Sequence, residues 1–308
     1  MLPRIILRDV NGGNFDITQI LSFVFKKDIY MPYTTLSAVF KALPFEADNI
    51  SEILFYADEK CIHHGIADVI DFYSEYGENF CKISSRGFTS LLCLNQIEPG
   101  IKTNISFNSL MDSFYTLPYV THEDNSDTSN YIYVKSGSNM WEGVANLGYK
   151  LYGFYPFIRD TNTVRITPVP QPNSFEYPDS MLLKRGKKRD TRRMKSHYHM
   201  ADFDGVYGVY ELSDSYVCDL NIVRHSFFDL DKQFLYSPQD ALVYRDRFNC
   251  RQSLAHYCLY SGYNFEDLTD LISFGTISNK KISSVKIVGN NNGIFTEIAV
   301  YSDYFNRD

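Results

Sequence analysis

Histidines and carboxylates form the pattern in this sequence that comes nearest to a chemical site. His197 and His199 would share one face of a strand, and Asp202 and Asp204 follow a few residues later. Imidazole and carboxylate groups both bind divalent ions, so this is a weak metal-site pattern. A polar connector beside a basic run would explain the same residues equally well.

No signature of a known type of catalyst accompanies these residues. The sequence has no phosphate-binding glycine loop, no HExxH or GxSxG motif and no zinc-ribbon spacing of cysteines. His63 and His64 are adjacent, so on a strand they point to opposite faces, which is poor geometry for one metal ion. Carboxylates are scattered without a spacing that isolates an acid and a base. We therefore expect a structural or binding protein with no catalytic residues, metal or cofactor.

The strongest charge feature is a run of eight basic residues and one acidic residue between positions 184 and 195. The chain has a formal charge of −7, so this +7 run leaves −14 on the other 296 residues. A solvated loop is the first interpretation, an acidic partner or another copy of this chain the second, and nucleic acid the third. The run contains no aromatic residue for base stacking, which weakens the third. The predicted partner-contact residues are Lys184, Arg185, Lys187, Lys188, Arg189, Arg192, Arg193 and Lys195.

Alternating segments predict a β-rich scaffold around these groups. Aromatic residues make up 16% of the 308 residues, and tyrosine and phenylalanine favour strands. In residues 35–43, Leu36, Ala38 and Phe40 alternate with residues of the opposite face. Similar short strands fill the first hundred residues and are joined by brief polar turns. This organisation is typical of antiparallel barrels and sandwiches.

Two helices are predicted between these strands and the basic run. Residues 106–117 place apolar side chains at helical spacing. Asn139 and Glu142 form an approximate capping box before an apolar stripe that includes Trp141 and that Gly153 can end. The second half is predicted to contain strands at 205–210, 216–223 and 227–230, helical spacing in 237–260, and a final hairpin over 282–301.

The sequence shows no targeting or membrane signal. The N-terminal apolar run is too short for a signal peptide, and no stretch approaches 18 apolar residues. The six cysteines form no CxxC pair, so free thiols in a reducing compartment are expected.

Several short motifs carry a resemblance to a known family. Residues 64–68 have the sequence HGIAD and residues 85–87 the sequence SRG, followed by two leucines, an asparagine and a Glu-Pro pair. Residues 104–110 then begin a helix, and residues 136–158 contain SGSNMWEGVANLGYKLYGFYPFI. This order resembles the baseplate hub protein of contractile phage tails, and the hub-like part of the type VI secretion spike is similar.

The resemblance implies an α+β, mostly β fold with two β-barrel domains and an inserted small α/β domain. It places the first barrel, with short helices, at 1–117, the inserted domain and basic connector at 118–200, and the second barrel at 201–308. Hubs of this family are trimers in which each subunit supplies two similar barrels. Six barrels then match the sixfold tail tube, while threefold symmetry remains for the spike.

The function implied by the resemblance is that of a structural, non-enzymatic baseplate hub in the tail of a virion or a related injection machine, assembled in the host bacterial cytoplasm. The implied partners are two further copies of the chain, the tail tube protein and the central spike protein, with the tape measure and baseplate wedge proteins as further candidates. Nucleic acid is expected only as DNA passing through the lumen. Two alternatives stay open: a tail-associated cell-wall hydrolase and a nucleic-acid-contacting tail adaptor.

Overall fold

The regular structure of this chain is mostly strand. A computed structural model describes residues 1–42, 49–230 and 238–302. The strands of the first half are β1 (Pro3–Asp9), β2 (Asn14–Ile17), β3 (Ile20–Asp28), β4 (Thr35–Lys41), β5 (Ile50–Ala57), β6 (Lys60–Glu75), β7 (Glu78–Gly87), β8 (Gly100–Ser106), β9 (Thr121–His122), β10 (Thr128–Val134), β11 (Phe157–Arg159) and β12 (Thr163–Arg165). Those of the second half are β13 (Ser174–Tyr177), β14 (Leu182–Arg189), β15 (His197–Met200), β16 (Tyr210–Ser213), β17 (His225–Phe228), β18 (Leu254–Ser261), β19 (Leu271–Phe274), β20 (Ile277–Lys281), β21 (Ser284–Asn290) and β22 (Gly293–Tyr301). The helices are α1 (Leu91–Leu94), α2 (Phe107–Phe114), α3 (Met140–Tyr152), α4 (Ser215–Asp219) and α5 (Pro238–Cys250).

Eleven strands form one antiparallel sheet in the order β14–β18–β22–β21–β3–β4–β7–β6–β5–β1–β2. β3 pairs with β21, from Asp28 opposite Ser284 to Phe23 opposite Gly289, so both ends of the chain enter the same sheet. Across the residues described, this order does not close on itself. The prediction of a mostly β fold is therefore confirmed, whereas the two predicted barrels are not.

One face of this sheet buries a continuous apolar core to which strands from β1 to β22 contribute. Leu36, Ala38 and Phe40 on β4 are at most 1% exposed, as their alternation predicts. The close approach of β3 to β21 requires a glycine, because a Cβ at Gly289 would lie 2.0 Å from the Phe23 ring.

The helices of the first half build a second core together with β8, β10, β11 and β12. The backbone N–H of Glu142 donates to Asn139 Oδ1 at 2.9 Å, which begins α3 as predicted. Gly153, with φ of 64°, ends α3 in the left-handed conformation that glycine allows. Trp141 is 5% exposed and packs in this core, as its place in the apolar stripe predicts.

A buried ion network joins the large sheet to the second core. Lys27 Nζ on β3 lies 2.5 Å from Asp267 Oδ1 and donates to the carbonyl of Asp160 at 2.5 Å. Arg159 donates to Asp270 Oδ1 at 2.9 Å and lies 3.6 Å from Asp267 Oδ2. Burial lowers the pKa of Lys27, and the Asp267 carboxylate opposes that effect. The network therefore fixes the turn between β11 and β12 against the large sheet.

A smaller layer packs α5 on the three-stranded sheet β16–β15–β17. Tyr198 and Met200 on β15 form its core with Ala241 and Leu242 on α5. The helical spacing predicted for 237–260 is thus only half right, because α5 ends at Cys250 and β18 follows.

The strands predicted at 205–210 and 216–223 are wrong. Gly205 (φ 79°) and Gly208 (φ 110°) adopt left-handed conformations that bend the chain, so β16 begins only at Tyr210. The backbone N–H of Val217 donates to Asp214 Oδ1 at 3.2 Å, and this cap begins helix α4 where a strand was expected.

The helices of the described residues are all too short or too polar to cross a membrane. The six cysteines are free thiols, and Cys81, Cys250 and Cys258 are buried.

Candidate interaction surfaces

The basic run forms a strand over half of its length, so the loop interpretation is wrong for residues 184–189. β14 pairs with β18, from Lys184 opposite Leu259 to Arg189 opposite Leu254. This pairing satisfies backbone groups that water would otherwise have to bind, and it outweighs the repulsion between neighbouring cations. β14 is the last strand of the large sheet, and in the described part of the chain its outer edge has no strand partner.

The cations project from both faces of β14. Residues directly opposite each other on antiparallel strands share a face. Arg185 lies opposite Cys258, which points to the core, whereas Lys184 lies opposite Leu259 on the other face. Seven of the eight predicted residues are exposed, and Lys195 is half-buried. β14 therefore presents positive charge on two sides and along an edge that no other strand of the described residues covers.

Three of these cations have internal partners. Arg185 lies 2.7 Å from Asp179, and Lys184 Nζ lies 5.7 Å above the ring of Tyr257. Arg192 donates to both carboxylate oxygens of Asp190, which holds the pKa of that carboxyl far below its usual range. The place of Tyr257 beside the basic run could not be predicted from local spacing, because the pairing of β14 with β18 brings the ring there.

A cavity of about 460 Å³ opens where β14 ends, and we call it the basic cavity. Three cations line it: Lys188, Arg192 and Arg193. Ala255 on β18, directly opposite Lys188, and Tyr301 on β22, directly opposite Ala255, also line it. Its volume falls within the range of protein pockets that hold small ligands or side chains. No sequence pattern indicated this cavity, because three separate segments, 188–193, 249–255 and Tyr301, form its walls.

Three histidines stack on the small sheet. His197 and His199 share a face of β15 as predicted, and the ring of His225 on β17 lies 4.4 Å from that of His197. His199 Nδ1 is 2.9 Å from Glu211 Oε1, and His199 Nε2 is 3.0 Å from His225 Nδ1. Because a carboxylate only accepts, Nδ1 of His199 donates, and a neutral His199 accepts from His225. These two facing nitrogens are the atoms here that could ligate one divalent ion, with Glu211 orienting His199.

The two aspartates predicted beside this cluster do not join it. Asp202 Oδ1 accepts the backbone N–H groups of Asp204 and Val206, both at 2.9 Å, within its own turn. The carboxylate that does contact the cluster is Glu211, placed opposite His199 by the pairing of β15 with β16. Sequence spacing could not reveal Glu211 or His225, since both arrive through strand pairing.

A second cluster of ionisable groups lies between α4 and α5. One ligand atom each from Asp214, Asp246 and Cys250 lies within 4.8 Å of the others. Burial, followed by the charge of Asp214, raises the pKa of Asp246 to about 6. Burial also raises the pKa of the Cys250 thiol, which lies 3.8 Å from a carboxylate oxygen of each aspartate. Asp246 therefore binds a proton at a higher pH than an ordinary aspartate does.

The residues that carry the family resemblance make structural contacts. Arg86 donates two hydrogen bonds to Asp68, at 2.8 and 2.7 Å. His63 is fully buried, and burial lowers its pKa to about 3. His64 is half-buried and lies 2.8 Å from Glu52, so the adjacent histidines do face different surroundings as predicted.

Solved structures of tail proteins share this fold along nearly the whole chain. A tail protein of prophage MuSo2 from Shewanella oneidensis aligns with a TM-score of 0.70 at 12% identity, covering 99% of this chain and 100% of that one. A tail protein from Neisseria meningitidis aligns with a TM-score of 0.72 at 11% identity, covering 99% and 98%.

A secretion-system protein has a similar fold. An Escherichia coli component of the type VI secretion system, described as similar in structure to the T4 tail proteins gp27 and gp5, aligns with a TM-score of 0.56 at 8% identity, covering 94% of this chain and 75% of that one. No family model and no curated protein sequence matches this chain. The chain thus has the fold of prophage tail proteins and related type VI secretion components, and the resemblance to the baseplate hub is confirmed.

Proposed function

We propose that this protein is a structural component of the baseplate of a phage tail or related injection machine, where three copies form a hub ring between tail tube and central spike. The observation that carries the proposal is the fold, which matches two tail proteins, one of them from a prophage, over nearly the full length of each chain. Similar chains from Francisella are described as part of a complex of PdpA with VgrG, which supports a place beside a spike protein.

In the proposed hub, each copy supplies two β lobes. Residues 1–117 and 201–308 are the proposed lobes, and residues 118–200 are the proposed insertion. Six lobes in a trimer would match a sixfold tube, while the ring as a whole keeps threefold symmetry for a spike. The pairing of β3 with β21 and the ion network around Lys27 would hold the two lobes of one copy rigidly together.

The exposed cations of β14 are the proposed contact with other tail proteins or other copies. A closed ring of identical subunits uses two different patches that complement each other, and a strongly basic patch on a chain of charge −7 suits that need. The ring would act by shape and rigidity, without catalysis or a cofactor, as part of a tail assembled in the host cytoplasm.

Imaging of tail particles tests this proposal. Particles that carry a tagged copy of the chain should show three copies around the axis, between the tube and the spike, and particles without the gene should lack that ring. Any other copy number or position contradicts the hub role. A zymogram on purified cell walls should show no clearing, and clearing would favour the hydrolase.

A DNA-contacting tail adaptor is the second candidate function. Tyr257 beside Lys184 supplies next to the run the aromatic surface that the run itself lacks. That function predicts DNA binding that falls steeply with salt. It also predicts loss of binding when Lys187, Lys188, Arg189, Arg192 and Arg193 are replaced together. The hub function predicts that the purified chain does not bind DNA at physiological salt.

A further inference from the structure

We infer that the tip of the β6–β7 hairpin of one copy docks into the basic cavity beside β14 of a neighbouring copy. The inference rests on the proposed ring of identical subunits, and it names the two surfaces through which those subunits would meet. The occupant of the cavity is thus a second copy of this chain, and the contact is head-to-tail.

Strand β6 of this hairpin extends beyond its neighbour β5, whereas β7 is paired with β4 as far as Phe80. β6 runs over 16 residues, but β5 pairs with it only as far as Ile66. From Val69 to Glu75, among the described residues, β6 pairs with β7 alone. The end of this hairpin, residues 74–79, is called the acidic tip below. It reaches away from the main core and is available for contact with another molecule.

A strained and exposed tyrosine lies at the turn of the acidic tip. Tyr76 is 98% exposed and has φ of 50°, and Gly77 follows with φ of 80°. Two-residue turns with positive φ at both positions favour Asn-Gly, and a bulky residue in the left-handed region is an outlier. Neither burial nor backbone preference explains why a tyrosine occupies this position. We therefore attribute it to a contact that the ring makes with another molecule.

The charge of the tip is unbalanced within the chain. Glu75 and Glu78 lie directly opposite each other, and like charges in that position destabilise a hairpin. Lys41 lies 3.0 Å from Glu78, with both side chains 60% exposed, so one solvated cation faces two carboxylates. The tip itself, residues 74–79, contains two acids and no lysine or arginine. Cations from a partner would relieve this repulsion.

The basic cavity offers what the tip lacks. It presents Lys188, Arg192 and Arg193, and the carboxylate of Asp190 in its wall is already bound by Arg192. Ala255 and the ring of Tyr301 provide an apolar wall on which an aromatic ring can pack. A volume of about 460 Å³ accommodates one tyrosine side chain, while two glutamates flank it at the rim.

The two patches lie on different parts of one chain, so their contact is heterologous. The cavity lies at the β14 end of the large sheet, and the acidic tip is the end of strands β6 and β7, several strands away in its order. When two copies bind in this way, one tip and one cavity remain free in the pair. If the rotation between neighbouring copies closes a ring, the last copy fills both. Copies joined in this way form a ring or an open chain, not an isolated symmetric pair.

Charge reversal tests the contact in the purified full-length protein. The variants are E75K/E78K for the tip, K188E/R193E for the cavity, and the combined four-fold swap. Sedimentation velocity should show that the wild type self-associates with rising concentration, that each reversal weakens association by about tenfold or more, and that the swap restores it. Salt of about 0.5 M should weaken the wild-type association as well. E59K/E98K changes the net charge as E75K/E78K does, at other exposed acids, and should associate as the wild type does.

Tyr76→Asn separates folding from docking. Asparagine suits the left-handed turn better than tyrosine, so the variant should melt no lower than the wild type. It should nevertheless associate about tenfold more weakly, because the ring that packs in the cavity is gone. A variant that associates as strongly as the wild type overturns the role of Tyr76.

The inference fails if wild type and reversal variants associate equally, if the combined swap does not restore association, or if the wild type stays monomeric up to about 1 mM. None of these results bears on where the protein lies in a tail, which particle imaging decides separately. Conversely, copies that associate through tip and cavity but are absent from tail particles would overturn the proposed function alone.

Discussion

Individual buried charges in this protein are stabilised by named partners, and their replacement has different consequences on the two sides of a pair. Lys27 has one carboxylate and one carbonyl as partners, whereas Asp267 binds both Lys27 and Arg159. The sequence does not reveal such a network, because its three segments, Lys27, 159–160 and 267–270, lie more than a hundred positions apart. Its prediction from sequence alone was therefore not feasible.

Asp267→Ala should destabilise the fold by about 3 to 5 kcal/mol, because it leaves the buried ammonium of Lys27 without a counter-charge. Lys27→Met should cost less, below about 2 kcal/mol, since Arg159 still pairs with Asp267 and the methionine fills the space of the lysine stem. Urea denaturation of both variants measures the difference. Equal losses of unfolding free energy would contradict the asymmetry.

Asp246 should make the protein less stable as the solution is made more alkaline. Its folded pKa of about 6 lies above the ordinary value of 3.8, so its stabilising contribution is complete below pH 3.8 and is lost as the pH rises through about 6. The loss is on the order of 1 kcal/mol, because the group is partly solvated. Asp246→Asn should flatten the decline in unfolding free energy between about pH 4 and pH 7.

The control for this effect is Asp204→Asn, at an exposed aspartate, which should keep the wild-type pH profile. A decline in Asp246→Asn that is as steep as in the wild type, or steeper, would contradict the raised pKa of Asp246. The i, i+4 spacing of Asp246 and Cys250 on α5 was visible in the sequence, but Asp214 comes from another segment and was not.

At the scale of elements, local patterns predicted the strands and helices whose own residues carry a clear periodicity or a cap. The alternation of Leu36, Ala38 and Phe40 predicted β4, and the caps of α3 predicted both of its ends. The prediction of a loop for residues 184–189 was wrong because eight cations indicate a solvated segment, whereas pairing with β18 makes these residues a strand. The pairing of these residues depends on the neighbouring strand, so no local property of residues 184–189 could have predicted it.

Asn139→Ala should lower the stability of the fold by about 1 kcal/mol, because the first turn of α3 loses the acceptor for the Glu142 N–H group. The same substitution at Asn130, an exposed residue on β10, should change it by less than about 0.5 kcal/mol. Thermal melts followed by circular dichroism compare the two. Equal effects would show that the cap contributes nothing.

At the scale of the whole molecule, the large sheet joins segments from both ends of the chain. β3 and β21 are hydrogen-bonded neighbours, and residues from β1 to β22 share one core. Composition and alternation predicted a mostly β molecule, but they could not show how strands far apart in sequence pair. For the same reason, the sequence could not show whether its strands would close into separate barrels.

Trp141 provides a test of this unity, because it is the only tryptophan and lies in the second core, apart from the large sheet. Its fluorescence and the far-ultraviolet circular dichroism should give the same midpoint in urea, since the Lys27 network couples the two cores. In Asp267→Ala the fluorescence midpoint should fall below that of the dichroism. Separate midpoints in the wild type would contradict the coupling.

The outer edge of β14, which within residues 1–42, 49–230 and 238–302 has no strand partner, affects how the protein behaves in solution. An eight-residue strand at the edge of a sheet offers backbone N–H and C=O groups with which a strand of another molecule can pair, and such pairing leads to aggregation. Closely spaced lysines and arginines on the edge strand oppose this pairing. At the opposite end of the sheet, β2 is only four residues long and offers few backbone groups for such pairing. Replacing the β14 cations with neutral residues should therefore promote precipitation, whereas exchanging them for glutamate keeps the strand repulsive toward its own kind.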